Sequence, residues 1–254
     1  MPRDTPAAPI TAAPARGATF APRATRLVAG AALAAALAAP AAPAGAQIIQ
    51  RSAGRTPLAS VSLGAGYLRN ARVVDGRTGT LWDFGGGLQW RASLERAAGG
   101  QTGYGITASF ARMPMRYSTS SQLTPTEPVS YRCTECDAHA DVWSVEAGVH
   151  VGGGQGFHQV IELRAGMTMF SNFREDATGA RMEPLKTDAD FGLGIGYGFG
   201  WGITERLQVV LLQEYGSAFH QRTGLSGNAS GSVEQLVTRL GVRYDIGLAR
   251  RRAF

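Results

Sequence analysis

The sequence predicts an all-β protein: an eight-stranded antiparallel up-and-down transmembrane β-barrel that follows a cleaved signal peptide. Three observations predict it. Apolar residues alternate with small or polar ones, period two, in eight runs between residues 57 and 248. The connections between these runs are alternately short and long. An apolar stretch of export-signal length precedes them, and no later stretch is long enough for a membrane helix.

Residues 1–46 read as a signal peptide with an extended N-terminal leader. Arg23 and Arg26 precede the apolar stretch 27–39, Pro40 and Pro43 end it, and Ala44-Gly45-Ala46 places small residues at the −3 and −1 positions of a cut before Gln47. The stretch is thirteen residues long, and a helix crossing a bilayer core takes about 20. Residues 47–56 then form a short periplasmic segment, 57–248 the barrel, and 249–254 a basic tail ending in Phe254.

The strands follow in order. Ala59, Val61, Leu63, Ala65 and Tyr67 alternate with Ser60, Ser62, Gly64 and Gly66. Trp82, Phe84, Leu88 and Trp90 share one parity and are read as a single strand with both tryptophans on its apolar face. Tyr104 to Phe110, Trp143 to Val151 and Phe157 to Met169 continue the pattern. The clearest run is Phe191, Leu193, Ile195, Tyr197, Phe199, Trp201 and Ile203, in which every intervening residue is glycine. Leu207 to Tyr215 and Leu240 to Leu248 complete the eight. Connections 92–101, 152–156 and 204–206 are short to moderate, whereas 69–80, 112–140, 171–187 and 217–234 are longer. Short periplasmic turns and longer outside loops are what a membrane barrel with both termini in the periplasm requires.

Aromatic residues near the strand ends form the expected interfacial girdle on the lipid face: Trp82, Trp90, Trp143, Phe199, Trp201 and Tyr244. The opposite face carries charge. Pairing strands through their turns brings Glu146, Glu162, Arg164, Glu214, Arg239 and Arg243 toward one another across the lumen. The pairing sets Glu146 and His150 opposite Glu162 and His158, Arg164 near Gly194, Glu162 and Glu214 near Gly196, and Glu214 near Arg239. Eight strands enclose an interior that side chains fill, so the six charges are expected to form an ionic plug, with the facing glycines making room for them. A gate or narrow ion path is the alternative use of the same groups.

Composition excludes other classes. The formal charge of +6 is dispersed, and half of it lies before residue 47, where Arg3, Arg16, Arg23 and Arg26 stand against Asp4. No basic stripe for nucleic acid results. Hydrophobic content is 44%, which suits a wall that gives only alternate residues to lipid. Cys133 and Cys136, close together in an exported chain, are expected to form a disulfide. Zinc with Asp137 and His139, or redox chemistry, are the alternatives. His150 and His158 could begin a metal site, but no third ligand accompanies them, and no cofactor is expected. Ser217, His220 and Glu214 are the available catalytic types near the outer end. No active-site motif surrounds them, so no enzymatic activity is expected.

The signal, strand number, sorted loops and terminal aromatic Phe254 together resemble the small eight-stranded outer-membrane barrels of the OmpA/OmpX type, over roughly residues 57–248. Five residues separate Phe254 from the last strand residue, Leu248. The resemblance implies residence in the outer membrane as a monomer, contact with outer-membrane lipid and lipopolysaccharide, and insertion by the outer-membrane assembly machinery. It leaves three roles open: a plugged barrel acting through its outside loops, a barrel that binds or passes a small ligand, and a soluble periplasmic barrel of lipocalin-like shape.

Overall fold

The computed structural model describes residues 55–99, 101–119, 133–220 and 232–250. The expected signal peptide, most of the 47–56 segment and the last four residues lie outside them. The strands are β1 (Arg55–Asn70), β2 (Val73–Asp75), β3 (Thr80–Phe84), β4 (Gly86–Gly99), β5 (Thr102–Thr119), β6 (Cys136–Val151), β7 (Gly156–Glu175), β8 (Asp188–Gly202), β9 (Leu207–Phe219) and β10 (Ser232–Arg250). All are antiparallel. β1 pairs with both β4 and β10, and β5 with both β4 and β6, so β1 and β4–β10 close into a ring of eight. β2 and β3 form a hairpin, and β3 continues the line of β4 along β5.

Ring closure leaves no unpaired edge, so the backbone groups of the wall are satisfied within the sheet. β1 begins at Arg55 and β10 ends at Arg250, slightly beyond the expected limits. At the outer side the strands extend far into the stretches read as loops. β5 reaches Thr119, β7 reaches Glu175, and β10 already starts at Ser232.

The extensions escaped the alternation because their polarity is inverted. In the lower barrel Tyr104, Ile106, Val145 and Trp143 face outward. Farther along the same strands, Ala111, Met113, Met115 and Tyr117 on β5 and Val142, Ala140 and Ala138 on β6 are buried inside. Arg112, Pro114 and Arg116 are the exposed residues there. A strand keeps its period of two, but its apolar side chains change from the outer face to the inner face along its length.

This inversion corrects the reading of Trp82. It is not part of the lipid-facing girdle: it is 0% exposed and lies inside the barrel, as does Phe84. A register shift makes the difference. Phe84 pairs with Met115 and Gln89 with Ala111, so five steps on one strand face four on the other. The extra residue is a bulge at Gly85–Gly86, where the Gly85 amide donates to the Pro114 carbonyl at 2.7 Å. Trp82 and Trp90 have the same sequence parity, yet they face opposite sides. A second bulge lies in β7. Asp141 pairs with Ser171 and His139 with Arg174, and Asn172 between them takes φ 54°. That left-handed conformation favours Asn, and its side-chain amide donates to Asp141 at 2.9 Å.

Candidate functional site: the lumen and the outer vestibule

The lower lumen is filled by charge. Glu214 is its centre, with a side chain 1% exposed. Its Oε2 accepts from Arg91 at 2.6 Å and Arg164 at 2.9 Å, and its Oε1 from Arg239 at 2.6 Å. Arg239 also donates to Glu162 at 2.8 Å. Glu146 stands farther off, 3.9 Å from Arg91 and 3.8 Å from Arg164. Toward the end with the short turns Arg243 reaches Glu95 at 2.7 Å and Asp245 at 3.4 Å. Ser60 and Gln208 donate to the same Asp245. The six lumen residues named from the sequence all lie in this system. Arg91, Glu95 and Asp245 belong to it as well.

β8 makes the room. A Cβ on Gly194 would stand 3.1 Å from the Arg164 guanidinium, and one on Gly196 3.3 Å from Glu214 and 3.5 Å from Glu162. Gly198 has a different cause: a Cβ there would collide with the Leu211 carbonyl. The gaps left in the network are cavities of about 20 and 10 Å³, each roughly one water in size.

Above the ionic layer the barrel holds an apolar core. Trp82 packs against Phe173 at a ring separation of 4.7 Å, Phe170 at 5.9 Å and Phe84 at 6.3 Å. Leu68, Met113, Met182 and Val233 are buried around them. At its edge lies a polar cluster. Asp75 ends β2, Asp188 and Asp190 begin β8, and His220 follows β9. His220 Nδ1 donates to Asp190 at 2.8 Å, and its Nε2 lies 3.7 Å from Asp75 Oδ1. Asp188 Oδ2 is 3.7 Å from His220 and 3.1 Å from Arg77. Burial pushes His220 down, but the carboxylates of Asp190 and Asp75 outweigh it and raise the imidazole to about 9. For Asp188, burial is the largest influence and lifts it above the ordinary carboxylate range despite His220 and Arg77.

The remaining candidates separate. Cys133 and Cys136 are joined in a disulfide, and His139 lies 2.6 Å from Asp176. His150 and His158 each donate to a backbone carbonyl, of Gly152 and Gly156. Of the catalytic types, Glu214 is held in the lumen by three arginines and His220 by the aspartates. On the outside wall Trp90, Trp143, Phe199, Trp201 and Tyr244 are exposed. The aspartate–histidine cluster was not visible in the sequence. Asp75 and His220 are far apart in the chain and lie in stretches that read as loops.

No protein-family model matches the chain, and no curated protein is significantly similar to it in sequence. Solved structures are similar in fold. Neisserial surface protein A matches at 13% identity over 76% of this chain and 99% of its own, with a TM-score of 0.47. The outer membrane protein OprG of Pseudomonas aeruginosa matches at 13% identity over 75% and 97%, with a TM-score of 0.42. The attachment invasion locus protein Ail of Yersinia pestis, in complex with a heparin analogue, matches at 15% identity over 73% and 99%, with a TM-score of 0.35.

Proposed function

We propose that this eight-stranded barrel resides in the outer membrane as a plugged, non-enzymatic monomer that acts at the cell surface through its outer end. Two filled layers carry the reading: the arginine–carboxylate network below and the aromatic core above. A solute crossing the barrel would have to displace Glu214 and its three arginines, then the packing around Trp82. The lower wall supports membrane residence. Leu63, Trp90, Leu94, Ile106, Phe157, Leu240 and many other large apolar residues face outward, a surface far larger than the few hundred Å² that soluble monomers expose. The soluble lipocalin-like alternative needs apolar residues inside and charges outside throughout, and the lower barrel has the reverse arrangement.

Outer-membrane lipid and lipopolysaccharide are then the immediate surroundings, and the outer-membrane assembly machinery the route of insertion. In planar bilayers the purified protein is expected to give no steady large-conductance openings; such openings would refute the plug. Orientation is tested in a chain free of its native cysteines. A cysteine at the exposed Thr134 should react with an impermeant maleimide on intact cells, and one at the exposed Glu205 should not.

A further inference from the structure

We propose that Asp75, Asp188 and His220 form a binding site for one divalent transition-metal cation of the Zn²⁺ or Co²⁺ type, which pins the inward hairpin β2–β3 to the mouth of the barrel.

Among the described residues these three form the one group whose ligand atoms lie together, all within 4.8 Å of one another. Burial distinguishes them from a surface acidic cluster: the side chains of Asp75 and His220 are 0% and 1% exposed, and that of Asp188 10%. A second observation points to a ligand. His220 Nε2 is buried, makes no hydrogen bond within 3.5 Å and stands 3.7 Å from Asp75 Oδ1; the proton that the aspartates hold on the ring is released when an ion binds. Two ligands at about 2.0–2.2 Å from one tetrahedral ion stand about 3.3–3.6 Å apart, so a small contraction seats an ion between them.

The surroundings are those of a metal-binding histidine. The other ring nitrogen, Nδ1, donates to Asp190 at 2.8 Å, which fixes the ring and leaves Nε2 as the ligand. Asp75 is itself oriented, accepting from the Arg77 amide at 3.0 Å and the Thr78 hydroxyl at 2.6 Å. One imidazole and two carboxylates are a donor set that suits zinc or cobalt. Calcium takes 6–8 oxygen ligands and fits poorly. Arg77 is the competing cation, 3.1 Å from Asp188 Oδ2. It also stands 4.0 Å from Asp75 Oδ1, so an entering ion has to displace it.

Trp82 supplies the readout, because its ring centre lies 5.2 Å from that of His220. The full chain, with Trp90, Trp143 and Trp201 changed to Phe, is refolded in detergent after treatment with EDTA and titrated with Co²⁺. Saturable quenching at one equivalent, reversed by EDTA, is expected. Asp75→Asn and His220→Gln should each weaken it at least tenfold, and Asp190→Asn by about 10–100-fold. Arg77→Gln keeps every ligand and should bind at least as tightly as the parent, a result that does not depend on the ligand variants folding. Non-saturable quenching, weaker binding in Arg77→Gln, or quenching that survives His220→Gln but is lost in His150→Gln/His158→Gln would overturn the site and leave a histidine–aspartate ion pair in its place.

Discussion

Replacing Glu214 with glutamine removes the charge at the centre of the lower lumen while keeping its shape. In the native protein three guanidinium groups converge on this carboxylate at 2.6, 2.9 and 2.6 Å. After the change Arg239 retains Glu162 at 2.8 Å, but Arg91 and Arg164 retain only Glu146, at 3.9 and 3.8 Å. Breaking a buried pair by removing one partner leaves uncompensated buried charge and costs about 3–5 kcal/mol. The internal comparison is Glu146→Gln. Glu146 makes two long ion-pair contacts, and its Oε2 has no hydrogen-bond partner, so the loss there should be about 1 kcal/mol or less. Equilibrium guanidinium unfolding from phospholipid vesicles, followed by tryptophan fluorescence, gives both numbers. Adding Arg164→Ala to Glu214→Gln should recover part of the loss, since it removes one of the stranded charges. Equal losses for the two glutamates, or less than about 1 kcal/mol for Glu214, would mean that water screens the lumen charges and that the network is not a plug.

Three further changes test other layers. Gly198→Ala should prevent folding or cost several kcal/mol, since its Cβ meets the Leu211 backbone, whereas Gly194→Ala should stay within about 1 kcal/mol because only the end of Arg164 must shift; heat-modifiable migration on gels reports both. In single-tryptophan variants, brominated lipid should quench Trp90, Trp143 and Trp201 but not Trp82, and quenching of Trp82 would overturn the bulge at Gly85–Gly86. Native protein should show no free thiol by mass spectrometry, and Cys133→Ser/Cys136→Ser should cost no more than about 2 kcal/mol, the closure entropy of so short a ring. A pair of free thiols would refute the bridge.

The barrel was legible because alternation, turn length and glycine placement all report the same wall. The register followed at two of the hairpins, one tight and one joined by a long connection. The three-residue turn at 204–206 correctly set Gly196 opposite Glu214, and Arg164 and Glu162 do pair with Gly194 and Gly196. It failed at 152–156. His150 pairs with Glu162 rather than His158, and Glu146 with Gly166. β7 extends past the end of β6 there, and Gly156 to Val160 pair only with β8. Such stagger comes from the tilt of strands in a closed barrel, which one hairpin does not encode. In the last hairpin Glu214 pairs with Val237, two residues from the expected Arg239. The ion pair forms regardless, because an arginine side chain spans that offset.

The upper barrel shows why a polarity pattern alone could not place Trp82 or reveal the aspartate–histidine cluster. Alternation states that two faces differ; it does not state which face meets the apolar medium. In the lower barrel apolar side chains lie outside and salt bridges inside, whereas in the upper barrel polar side chains lie outside and aromatic rings inside. A strand crossing from one regime to the other must either exchange apolar and polar parity in its sequence or insert a residue. β5 and β6 exchange parity, at Ala111 and Val142. The β3–β4 line inserts a residue at Gly85–Gly86, so its sequence parity runs on unchanged and conceals the crossing. The boundary between the two regimes is therefore marked twice on the molecule, by inverted parity on some strands and by a bulge on another. The inward hairpin β2–β3 lies on the outer side of that boundary, where its buried Asp75 meets His220.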